Sequence, residues 1–161
     1  MAMELVSTVT VGSGGAASIE FTNIPQTGKD LLVKYSIRRS NTNDIFDIDF
    51  NSFEGTYSNR RLDGDGSTAS SRTITGEGIR GYITTSSDTS NTFASVDVYV
   101  ANYTSSVAKS ISVDGVTENN ATSANQFLIA ASASTTNPVT SLRIQALSLV
   151  QHSSASLYII S

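Results

Sequence analysis

The feature that most constrains this chain is a two-residue period in its apolar side chains. Leu31, Val33, Tyr35 and Ile37 alternate with Lys34, Ser36 and Arg38. Successive side chains of an extended chain point to opposite faces, so this pattern makes strands that bury one face. The same alternation runs through Ala17, Ile19 and Phe21, through Phe46, Ile48 and Phe50, and through Val96, Val98 and Val100. It returns at Val107, Ile111 and Val113, at Leu142, Ile144 and Ala146, and at Ala155, Leu157 and Ile159. Met3, Leu5, Val9 and Val11 read as one face of a first strand, with Val6 out of step. Phe127, Ile129 and Ala131 fit a short helix or a strand, and strand is the better fit.

Turn signals separate these segments. Gly12-Ser13-Gly14-Gly15, Pro25 to Gly28, Ser40 to Asn43, Ser86 to Asn91, Thr117 to Asn125 and Asn137-Pro138 supply residues that turn the chain. Asn51 to Arg80 is rich in glycine and poor in large apolar residues. It reads as long loops, with short strands around Thr73–Thr75 and Gly81–Thr84. The whole predicts about eight to ten short strands in an all-β, antiparallel, jelly-roll-like β-sandwich, with residues 1–161 as a single domain. No internal repeat suggests a solenoid or propeller.

Composition excludes several functions. Cysteine is absent, so there is no disulfide framework, no cysteine zinc site and no thiol nucleophile. One histidine, His152, cannot build a multi-histidine metal site. The net charge of −4 opposes nucleic-acid binding, whose footprint is a basic face. No apolar run is long enough to span a membrane as a helix. The opening Met1-Ala2-Met3-Glu4 lacks the basic and apolar regions of a secretory signal, so synthesis in a cytoplasm is expected. Asn102-Tyr103-Thr104 and Asn120-Ala121-Thr122 match the glycosylation pattern, which in that setting is coincidence. The polar bulk of the chain is hydroxyl rather than charge: 27 Ser and 19 Thr against 15% charged residues.

Five groups of residues invite a chemical reading. Asp44, Asp47 and Asp49 suit a hard cation. Alternatively, Asp47 and Asp49 pair across a hairpin with Lys34 and Arg38, and this reading is preferred. Asp63-Gly64-Asp65-Gly66-Ser67 resembles the start of a calcium loop, but the twelfth position, Ile74, lacks the bidentate glutamate; a turn is preferred. His152 adjoins Ser153 and Ser154, yet no nucleophile-elbow pattern surrounds any serine. Tyr57, Tyr82, Tyr99 and Tyr103 offer a sugar-stacking platform or ordinary strand tyrosines. Arg38, Arg39, Arg60 and Arg61 hold four of the ten basic residues and are candidate interface residues. No catalytic, cofactor-binding or metal-binding residue is assigned, and no enzyme activity or cofactor is expected.

Three stretches carry a resemblance. They are Glu4 to Thr27, with its Val11-Gly12-Ser13-Gly14-Gly15-Ala16 motif, then Val116 to Thr122, then Ser153 to Ile160. Together they resemble small structural proteins of tailed bacteriophages, notably phages of marine and freshwater bacteria. The resemblance implies a non-enzymatic virion structural protein, made in the host cytoplasm and placed on the particle surface. A capsid decoration, or cement, protein is the first expectation. It would assemble as a homotrimer and dock on the major capsid protein or other virion proteins, with no nucleic acid or membrane partner. The alternative is a tail or fibre component, a receptor-binding adhesin contacting host glycans.

Overall fold

The structure, a computed structural model, describes residues 2–53, 55–76, 78–120 and 124–161. Among them the regular elements are all strands: β1 (Met3–Thr10), β2 (Ala16–Phe21), β3 (Asp30–Ile37), β4 (Ile45–Phe50), β5 (Tyr57–Gly64) and β6 (Ala69–Gly76). There follow β7 (Ile79–Tyr82), β8 (Ala94–Val100), β9 (Lys109–Val116), β10 (Gln126–Ala133), β11 (Leu142–Leu149) and β12 (Ser154–Ile160). The Thr117–Asn125 loop expected from sequence falls partly on residues 121–123, outside the described residues, as does part of the Asn120-Ala121-Thr122 pattern.

The strands form an eight-stranded sheet, β1-β12-β3-β8-β9-β10-β5-β6, and a four-stranded sheet, β2-β11-β4-β7. All named pairings are antiparallel. Four pairs nest one inside the next: β1 with β12, β2 with β11, β3 with β8 and β4 with β7. That nesting is a long antiparallel ribbon rolled into two sheets, the double Greek key of a jelly roll. Two hairpins are added to it. β5–β6 is inserted between β4 and β7, β9–β10 between β8 and β11, and both extend the first sheet beyond β8.

Alternation decides what is buried. Leu31, Val33, Tyr35 and Ile37 of β3 meet Phe46, Ile48 and Phe50 of β4 between the sheets, all buried. Each such side chain contributes about 1.5–3 kcal/mol by leaving water. Tyr35 and Phe46 meet edge to face, with ring centroids 5.3 Å apart.

The long sheet overhangs the short one, and the overhang is polar. Tyr57, Asn59, Arg61 and Asp63 are the buried residues of β5. Asn59 Nδ2 donates to Gly78 O at 3.1 Å, and the Arg61 guanidinium lies over the Tyr82 ring of β7. β5 and most of β6 stand where the sequence pattern predicts long loops.

Two further expectations are corrected. A bulge in β1 between Leu5 and Ser7 puts Met3 and Leu5 on the outer face, while Val6 and Val9 pack against the core. β3 and β4 lie in different sheets, so Lys34 and Arg38 do not pair with Asp47 and Asp49. Asp47 instead accepts two hydrogen bonds from Arg80, and buried Asp49 accepts one from Arg143 at 2.9 Å.

Asn51, Ser52 and Phe53 follow β4 with φ of 47°, 60° and 66°. Three consecutive side-chain-bearing residues in the left-handed region cost about 1–2 kcal/mol each. Asn51 Oδ1, accepting from the Thr140 and Ser141 amides, and Asp49 Oδ1, accepting from the Phe53 amide, hold the turn.

Candidate functional site

The outer face of the eight-stranded sheet is where exposed apolar side chains collect. Eight large apolar residues are exposed among the described residues, and six lie on this face: Met3, Leu5, Leu62, Tyr99, Val116 and Leu128. Apolar residues scattered singly over a surface are ordinary, whereas contiguous ones mark contact sites, so their grouping on this face is what matters.

Cross-strand register resolves the face into rows. One row runs Leu5, Tyr158, Leu32, Tyr99, Ser112, Ala130, Arg60 and Thr73 from β1 to β6. The next runs Lys34, Asp97, Asp114, Leu128, Leu62 and Ser71 from β3 to β6. The β1 end is therefore an apolar corner, formed by Leu5, Leu32 and Tyr158 with Met3 and Ile160 paired beside them. Its border is β1, whose outward edge pairs with no strand among the described residues. Glu4 and the Leu5–Ser7 bulge interrupt this eight-residue edge, but it has no lysine or proline, and its unpaired backbone groups can still pair with another chain.

The β8–β6 end is a trough of about 850 Å3. Its shape follows from side-chain size along the Tyr99 row, where small Ser112 and Ala130 sit between large Tyr99 and Arg60. A second hollow, of about 670 Å3, adjoins it near the β5–β6 turn and shares Leu62 and Leu128. Tyr99 is held rigidly. Its hydroxyl donates to Asp30 Oδ2 at 2.5 Å, while Asp30 Oδ1 accepts the Asn102 amide at 2.8 Å. The hydrogen bond to Asp30, then burial and the negative charge of Asp30, raise the Tyr99 hydroxyl pKa. On the floor Asp97 and Asp114 are direct cross-strand neighbours. Lys34 pairs with Asp97 on its other side.

The candidate residues read from sequence fall apart in space. Arg38 and Arg39 are buried and serve the fold. Arg38 Nη1 donates to Thr89 O and Thr92 O and Nη2 to Asp88 O, tying down the loop before β8; Arg39 Nη1 donates to Ile45 O at 2.7 Å. Arg61 is buried against Asp63 and Tyr82. Of the four arginines chosen as interface residues, only Arg60 reaches solvent on the outer face.

The tyrosines do not form one platform. Tyr57 and Tyr103 are buried, Tyr82 lies beneath Arg61, and Tyr99 alone is exposed on a sheet face. Asp63 accepts from Arg61, Ser70 and Arg72, and Asp65 caps the β5–β6 turn by accepting from the Ser67 and Thr68 amides. His152 is exposed in the β11–β12 turn, whereas Ser153 is buried with its Oγ bonded to the Arg38 backbone. The sequence offered no signal for the trough, because its floor residues become neighbours only through the pairing order β8-β9-β10-β5.

Compared with known protein families, curated proteins and solved structures, the chain matches none. Fold and face define a jelly-roll β-sandwich with an enlarged outer sheet.

Proposed function

We propose that this chain is a non-enzymatic structural protein of a tailed-bacteriophage virion, acting as a capsid decoration protein on the particle surface. The observation that carries this reading is the apolar corner of Met3, Leu5, Leu32, Tyr158 and Ile160, continuous with the unpaired edge of β1. That surface is suited to contact with protein. The sequence resemblance to phage structural proteins supports the same reading. The partners are further copies of this chain, as a homotrimer, and the major capsid protein. Three linked copies hold a shell more firmly than one, because the second and third contacts become intramolecular.

Quantitative mass spectrometry of purified virions tests the reading. A copy number comparable with that of the major capsid protein is expected. A small fraction of that number assigns the protein to the tail or a fibre, and absence from the particle removes the reading.

A further inference from the structure

We propose that the trough on the added strands of the outer sheet is a binding site for a neutral oligosaccharide. The site adjoins the apolar corner, since Tyr99 pairs with Leu32, but it does not depend on the virion reading.

Four features of the trough carry this. First, its volume of about 850 Å3 lies within the usual range for a small-molecule site. Second, Tyr99 presents a ring fixed by its bond to Asp30, so stacking on it orders nothing further. Tyr99 and Arg60 stand three strand spacings apart, about 14 Å, with only Ser112 and Ala130 between them.

Third, the Leu62–Leu128 pair forms an apolar ridge across the neighbouring row. A sugar ring has C–H faces that suit an aromatic ring and an apolar ridge. Its hydroxyls point outward, where they suit carboxylates and serine hydroxyls. The trough offers both, within one pairing step of each other.

Fourth, the floor breaks a rule of sheet construction. Asp97 and Asp114 are like charges placed directly opposite, which destabilises a sheet. Lys34 relieves Asp97 alone. Asp114 is exposed at a position where serine or threonine would cost nothing. Local conflicts of this kind are expected at functional or strained positions. Sugar hydroxyls donate to a carboxylate pair without adding charge, and a hydrogen bond to a charged acceptor is stronger than one to a neutral group. Asp97 and Asp114 are balanced by Lys34 and Arg60, so the trough carries no net charge, which suits a neutral oligosaccharide. The jelly roll supplies the scaffold and the two inserted hairpins supply most of the site, as binding sites are commonly grafted on folds.

The test is calorimetric titration of the full-length protein with cello-, malto-, manno- and N-acetylated chito-hexaose, and with a hyaluronan hexasaccharide as the acidic comparison, with and without EDTA. At least one of these neutral hexaoses binds saturably, EDTA changes nothing, and Asp114→Asn weakens binding by about tenfold or more. The same substitution leaves the melting temperature equal or higher, because it removes a like-charge contact. Tyr99→Ala also abolishes binding, with the fold checked by circular dichroism. Saturable binding by none of the four, binding unchanged in Asp114→Asn, binding that requires calcium, or preference for an acidic oligosaccharide over all four overturns the proposal.

Discussion

The Arg61 guanidinium lies 4.0 Å from the centroid of the Tyr82 ring and clips β5 of the long sheet to β7 of the short one. Arg61 also neutralises Asp63 two residues along the same strand. Removing it strips Tyr82 of its cation and leaves Asp63 buried with only Arg72 and Ser70. Arg61→Ala should therefore lower stability in urea denaturation by about 3 kcal/mol. Arg60→Ala, one residue away on the outer face, should change it by no more than about 0.5 kcal/mol. Equal effects would contradict the division of the pair into one buried and one exposed arginine.

Asp63 sets an acid limb in the stability profile. Burial pushes its carboxyl pKa up, but Ser70, Arg61 and Arg72 together outweigh that and hold it below the ordinary value. The folded pKa is the depressed one. The stabilisation is thus complete above the unfolded value of about 3.9 and is lost as pH falls through the folded value. Asp63→Asn should flatten the fall in stability below about pH 4 relative to the parent, followed by urea midpoints at stepped pH. A parallel acid limb in the variant would rule Asp63 out as its source.

Much of the fold was legible in the alternation, and the exceptions have physical causes. β3, β4, β8, β12 and β11 as far as Ala146 show plain apolar alternation because both faces of their sheets meet the expected solvent or core. β5 is inverted: Asn59, Arg61 and Asp63 point inward while Leu62 points out. It lies where the short sheet ends, so its inner face meets backbone carbonyls and a tyrosine ring rather than a second apolar layer. A period-2 search for apolar residues cannot find such a strand. In β1 a single bulge exchanged the faces of Met3 and Leu5 for those of Val6 and Val9, a change of register that local sequence does not announce. The trough was invisible for a different reason. Tyr99, Ser112, Ala130 and Arg60 come from four strands whose order in the sheet depends on two long-range insertions.

Gly115 is fixed by the ring of Phe127. A methyl group at Gly115 would stand 2.1 Å from Phe127 Cζ and 2.5 Å from Cε2. Gly115→Ala should cost about 1–3 kcal/mol through overpacking. Combined with Phe127→Leu, which frees that space, the two changes should be less destabilising than the sum of the singles in a double-mutant cycle. Strict additivity would show that the two residues do not share the volume.

Ser52 is exposed at φ 60° in the middle of the left-handed turn after β4. Ser52→Gly removes its side-chain penalty there and adds some unfolded-state freedom, leaving a net gain of about 0.5–1 kcal/mol. Thermal unfolding should show a higher midpoint. A lower one would mean that the serine side chain supports the turn.

The proposed seat on a virion particle is the apolar corner beside β1. Leu5 is 53% exposed there, so Leu5→Lys should leave the isolated domain's stability within about 0.5 kcal/mol of the parent. The direct measurement is the amount of Leu5→Lys protein retained on purified virions beside the parent protein. A fall in occupancy of about tenfold, equivalent to about 1.4 kcal/mol of binding, is the predicted result. Occupancy equal to that of the parent, from an equally stable variant, would contradict the claim.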